Sequence, residues 1–234
     1  MLTCDPPVHT RLQEIMQPPF QPGGRSGEFV SNELIGIADR LLDAVDPAGF
    51  DVMADYAQPL SAGALATVLG LDSYGFNRMW DWCEGLCTDL ANFENDPDLA
   101  AIGERTKADL GAVLAERIAE AGNDGSAISW FVQNDATTEE IVNNVRLMIS
   151  GGINEPRDGI GLVAWLLLSE PSLASAVDAE PTKMRRLIEE MFRVHSPVGT
   201  VTRQATRDLE LAGVAIAKGD LVSGVLRSIN LDES

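Results

Sequence analysis

At 234 residues, 45% hydrophobic and 23% charged, the chain is long and apolar enough to bury a real core, which excludes a disordered protein. Its formal net charge of -19 argues against nucleic acid and anionic membrane surfaces as partners. Three cysteines, Cys4, Cys83 and Cys87, lack Cys-x-x-Cys spacing, so neither a disulfide framework nor a zinc site is indicated, and a reducing, cytoplasmic setting fits best.

In chain order, Asp5-Pro6-Pro7 before Val8-His9-Thr10-Arg11-Leu12-Gln13 predicts an Asp-capped, proline-entered short helix with His9 and Gln13 on one face. Pro18-Pro19 stops it. Leu34, Ile37, Leu41 and Leu42 predict an amphipathic helix over 31–44, and 61–69 is a small apolar one ended by Gly70. Phe76, Met79, Trp80, Trp82, Leu86 and Leu90 mark a helix over 74–93, and 97–120 follows as a long amphipathic helix. The two predict a hairpin with an aromatic first arm, either a core pair or a lid over an apolar pocket. A short apolar segment occupies 126–133.

The stretch 137–171 is the longest apolar-periodic one. Thr137 and Glu140 form a capping box, Ile141, Val145 and Met148 recur at helical spacing, and Ile160, Val163, Leu166 and Leu167 resume it, widened by Trp165 and Leu168. The expectation is one buried helix that ends at Pro171. Its interruption, Gly151-Gly152-Ile153-Asn154-Glu155-Pro156, contains a proline without the N–H owed to the Gly152 carbonyl, so a kink or opening is expected there. Two glycines admit close approach to the backbone, and an amide and a carboxylate stand at the lip, as a groove beside a buried ligand requires. A kink imposed by packing alone predicts the same residues.

Over 181–194, Leu187, Met191 and Val194 mark a buried side, while Glu190 and Arg193 face each other three residues apart. Only after Pro197 does the period change to that of strands, at 200–204, 208–211 and 214–216, with turns at Ala212-Gly213 and Lys218-Gly219. The expected class is mainly α with a minor antiparallel β-sheet.

Four of these segments, in this order, resemble the cytochrome P450 family of soluble, bacterial type, the haem-thiolate monooxygenases. Asp5–Leu12 resembles that family's third helix, the interrupted stretch its oxygen-binding helix, and Glu190-Met191-Phe192-Arg193 its Glu-x-x-Arg pair. Arg203-Gln204-Ala205-Thr206-Arg207-Asp208 with Leu211-Ala212-Gly213 through Lys218-Gly219 resembles the sheet segment that follows. The resemblance implies an incomplete cytochrome P450 fold: residues 1–234 as a partial domain from the third helix through the sheet after the Glu-x-x-Arg helix. The Phe-x-x-Gly…Cys-x-Gly loop that supplies the iron ligand in the family is not in this sequence, and none of the three cysteines has its context.

The resemblance further implies a haem cofactor, with His9, Gln13 and Arg203 at its propionates and Gly151 and Gly152 beside it. Gln13 stands where the family has a basic residue, so it offers a hydrogen bond without a charge. Asn154 and Glu155 stand at the family's acid and alcohol positions, which serve proton delivery. Here the expectation is that Pro156 opens the helix and that Glu155, partly buried, carries protons itself. Phe93, Ile153, Val198, Thr200 and Val201 are the implied lining for an apolar small-molecule substrate, and Glu190–Arg193 a structural ion pair. Electrons are expected from NAD(P)H through a ferredoxin or a flavin reductase-type donor. A second reading makes the chain a non-catalytic, truncated helical protein that binds haem weakly or only a protein partner.

Overall fold

The computed structural model describes residues 4–232 and divides into two compact units, Met1–Arg157 and Asp158–Ser234. The first is all helical. Helix α1, Val8–Met16, is entered through Pro7 without a side-chain cap. Asp5 contributes its backbone carbonyl to the His9 N–H at 3.1 Å, which corrects its expected role as capping side chain. Helix α2, Arg25–Phe29, runs through a wider turn, Val30–Leu34, into α3, Ile35–Ala44. This helix therefore starts before position 31, because Gly24 and Gly27 hide its first turns from any apolar repeat. Asp51 caps the turn Val52–Ala57 by accepting from the Met53 and Ala54 N–H groups, and α4, Gln58–Leu69, follows.

Helices α5, Gly75–Leu90, and α6, Pro97–Ala119, form the expected hairpin. Asp96 caps α6, with Pro97 in its first turn, where a missing N–H costs nothing. Two glycines set the approach of the helices: a Cβ on Gly85 would collide with the Thr106 side chain, and one on Gly103 with that of Asp89. Helix α7, Ala127–Gln133, is capped by the Ser126 hydroxyl, and α8, Thr138–Gly152, opens on the capping box of Thr137 and Glu140. The core of this unit is closed by Leu69, Met79, Leu110, Leu114, Phe131 and Ile149, all fully buried. At its edge the Arg117 guanidinium donates to the Gly70 carbonyl at 3.0 Å and the Ser126 hydroxyl at 2.9 Å, and pairs with Asp124. Burial pushes the Asp124 carboxyl up, but the Ser126 N–H, the Ser129 and Ser126 hydroxyls and Arg117 together hold it well below the usual carboxylate range.

The second unit begins within α9, Asn154–Ser169, and continues through α10, Pro171–Ala179, and α11, Lys183–Val194. Strands β1, Thr200–Gln204, β2, Leu209–Leu211, β3, Val214–Ile216, and β4, Leu221–Val225, precede a last short helix, α12, Leu226–Asn230. β1 pairs antiparallel with β4, Thr200 opposite Val225, and β2 with β3 across the Ala212-Gly213 turn. β4 was not expected, since the sequence signals only the turn before it.

One expectation needs correction. The stretch 137–171 is not buried throughout: Ile141, Val145 and Ile149 are enclosed, whereas Trp165 is 52% and Leu168 78% exposed. The apolar stripe of α9 runs as the periodicity says, but a stripe is buried only where neighbours cover it.

Candidate functional site

The interruption falls at Ile153, between α8 and α9, and Pro156 becomes the third residue of α9. A proline in a first turn lacks an N–H that the helix does not use, so its effect falls one turn earlier, on the Gly152 carbonyl, and the carbonyls around it are open to further donors. Side chains from two other helices meet them. The Ser61 hydroxyl donates to the Ile153 carbonyl at 2.6 Å, and that carbonyl also accepts the Arg157 N–H at 3.1 Å. The Cys87 thiol donates to the Ser150 carbonyl at 3.4 Å, and the Asn154 amide donates to the Cys87 sulfur at 3.2 Å. Beside this turn lies an open groove of about 540 Å³, lined by Trp80, Glu84, Cys87, Thr106, Asn154 and Arg157. The Arg157 guanidinium stacks over the Trp80 ring, 4.7 Å from its centroid.

Glu155 is half-buried, and its Oε2 is enclosed without a hydrogen-bond partner. An enclosed polar atom left unpaired typically costs about 1–3 kcal/mol, more when charged, and Glu155 Oε2 is one of three such side-chain atoms among the described residues, with Arg25 Nε and Arg146 Nε. Gly151 is exposed, and a Cβ placed there would have only the Glu155 Oε1 nearby, at 3.9 Å. The backbone at Gly151 is thus open to a neighbouring group, whereas Gly152 packs against Leu65.

The remaining candidate residues are dispersed. Half-buried His9 and exposed Gln13 share a face of α1. Arg11, which the sequence did not single out, grips Glu140 of the capping box with Nη2 at 2.9 and 3.1 Å. Ile153 is fully buried in the helical core, and Phe93, between α5 and α6, is 86% exposed. In the second unit Val198, Thr200, Val201 and Arg203 stand exposed on one segment, Arg203 donating to the Thr202 carbonyl at 3.0 Å. Glu190 and Arg193 form a two-point ion pair, at 2.6 and 2.7 Å, and Arg193 also donates to the Asn230 carbonyl at 2.6 Å. The bond to Arg193 lowers the Glu190 carboxyl below its ordinary value.

The donor set fits one part of a haem site. In the first unit, an open glycine backbone lies beside a half-buried carboxylate with an unpaired oxygen, and half-buried His9 and exposed Gln13 are accessible to a carboxylate; in the second unit, taken by itself, so is exposed Arg203. It does not fit iron ligation. Cys83 is buried, its thiol pushed up to about 12 by burial and by Cys87, and the Cys87 sulfur is engaged at the turn. Among the described residues no group of three or more His, Cys, Asp or Glu is placed to hold a metal ion, and no single helix is long and apolar enough to cross a membrane.

The fold is shared with a solved cytochrome P450, TbtJ1 in its ligand-free form, at a TM-score of 0.88 and 27% identity, over 98% of this chain and 62% of that one. Residues 182–234 match the family model for cytochrome P450. Over almost its whole length the chain is similar to cytochrome P450 CYP199A2 of Rhodopseudomonas palustris, 29% identical over 99% of this chain and 57% of that protein. It is also similar to linalool 8-monooxygenase of Pseudomonas putida, 27% identical over all of this chain and 58% of that protein. The chain thus spans about 60% of the length of the relatives it matches. All of these likenesses indicate one family, the bacterial-type cytochromes P450.

Proposed function

We propose that this chain supplies the oxygen-handling side of a haem-dependent monooxygenase, as a partial P450 domain from the third helix through the sheet after the Glu-x-x-Arg helix. The observation that carries this is the unpaired, enclosed Oε2 of Glu155 at a broken helix beside the open backbone of Gly151. His9, Gln13 and Arg203 would hold the haem propionates. When bound, haem supplies the activation of dioxygen, from which one atom enters an apolar organic substrate and the other leaves as water, at the expense of two electrons and two protons. The electrons come from NAD(P)H through a ferredoxin or a flavin reductase-type donor, and the setting is the cytoplasm.

In this reading Glu155 moves protons. With Asn154 turned to Cys87, the usual acid of the family is replaced by a neutral amide, and Glu155 is left as the carboxylate at the turn. A half-buried carboxylate with an unpaired oxygen takes up a proton at Oε2 and releases it to an acceptor beside Gly151. Val198, Thr200 and Val201 present a mostly apolar surface for an apolar small-molecule substrate. In the haem-loaded protein, Glu155→Gln is expected to leave NAD(P)H oxidation running while product per NAD(P)H falls roughly tenfold or more, in the range of a lost general acid. Unchanged coupling overturns the relay.

A further inference from the structure

A helix that breaks exposes carbonyls that must find donors, and here the donors come from outside the helix. In a continuous helix the Ser150 carbonyl would accept the Asn154 N–H. It accepts the Cys87 thiol of α5 instead, at 3.4 Å. The Ile153 carbonyl keeps its helical bond from the Arg157 N–H at 3.1 Å and accepts, as a second bond, the Ser61 hydroxyl of α4 at 2.6 Å, Ser61 being itself buried. The Asn154 side chain then closes the arrangement by donating to the same Cys87 sulfur at 3.2 Å. Two side chains on two helices thus hold three features of the turn: the Ser150 carbonyl in the last turn of α8, the Ile153 carbonyl at the break, and the first side chain of α9.

We propose that Ser61 and Cys87 are positioning residues that latch the broken turn in place, fixing where Gly151 and Glu155 stand. The break would not persist through Pro156 alone. Proline deletes one N–H, at the Gly152 carbonyl, and a helix that loses a single bond commonly kinks and continues. Cys87 also lines the open groove beside Trp80 and Arg157, so the latch is reachable by solutes from that side, whereas Cys83 one turn earlier is buried. This inference rests on the break being the working site.

The test is amide hydrogen exchange in the intact protein, read at Arg157, whose N–H donates to the Ile153 carbonyl, with Leu110 and Leu114 of α6 as internal reference. Ser61→Ala and Cys87→Ala are each expected to speed exchange at the turn about five- to tenfold, the effect of losing one buried hydrogen bond, with the reference unchanged. Ser61→Thr and Cys87→Ser, which keep an O–H donor, are expected to restore it to within about twofold. Should an alanine variant fail to fold, methylthiolation of Cys87 in the folded protein, in a Cys4→Ser background, removes the thiol donor without a core substitution and is expected to give the same acceleration. No acceleration at the turn, equal acceleration in α6, or failure of the conservative variants to rescue overturns the latch. Because exchange is read without turnover, a failed Glu155→Gln experiment would sink the proton relay and leave this result standing.

Discussion

The two halves of the interrupted helix, α8 and α9, both carry an apolar stripe in sequence and are very differently buried. Ile141, Val145 and Ile149 of α8 are enclosed, while Trp165 and Leu168 of α9 face solvent. The contrast extends to the units that hold them. Among the described residues, every buried hydrophobic side chain except Met191 lies at or before Ile153. Apolar periodicity records which face a helix is prepared to bury; the burial itself depends on α4, α5, α6 and α7 standing around α8.

The largest effect that sharpens this comparison is in the core. Phe131→Ala or Leu114→Ala is expected to cost about 3–5 kcal/mol by chemical denaturation, through lost transfer energy and the cavity left behind. Leu168→Ser, at an exposed position of equal hydrophobicity, is expected to change stability by less than about 0.5 kcal/mol. Similar losses at both positions would break the comparison.

An intermediate effect is a test of burial by pH. The Cys83 thiol is held near 12 in the folded protein, against 9.0 for an unburied thiol, so the folded state keeps a proton that the unfolded state releases. Stability is therefore fully present below about pH 9 and falls as pH rises toward 12, with ∂ΔG/∂pH negative across that window. Thermal denaturation against pH is expected to show this decline, and Cys83→Ala to reduce it. A flat profile between those limits would mean that α5 is not closed over this residue.

The smallest effect belongs to the second unit. Glu190 and Arg193 are exposed, so their pair is screened by salt despite its two-point geometry. The carboxyl is lowered, so its contribution is present above the ordinary carboxylate range and is lost as pH falls through its folded value. Glu190→Gln is expected to cause a small loss of thermal stability at low ionic strength that vanishes in about 1 M salt, where the screening length is roughly 3 Å. A loss that survives salt would show that the pair is held in a drier place than α11 provides.

Much of this fold was legible beforehand because its signals are local. The Thr137–Glu140 box, the start of α6 at Pro97 and the Ala212-Gly213 turn each act within four residues. The misses were also physical. The start of α2 lies among glycines, and β4 acquires its identity only by pairing with β1. At the candidate site, Gly151, Asn154 and Glu155 were visible from their place around Pro156. Ser61 and Cys87 carried no signal, since a serine and a cysteine in apolar helices look like small packing residues.

The sequence by itself determined most of the helical segments, the cap at Thr137, that the central one must be interrupted near Pro156, and which residues stand at that interruption. Those properties follow from backbone geometry and from neighbours a turn apart. Only the tertiary structure decided that the break falls at Ile153, that its carbonyls are met from α4 and α5, and that Glu155 keeps an oxygen without a partner. A carbonyl at a broken turn takes the donor that the fold brings to it, and at Ser150 and Ile153 those donors stand 63 and 92 positions away in the chain.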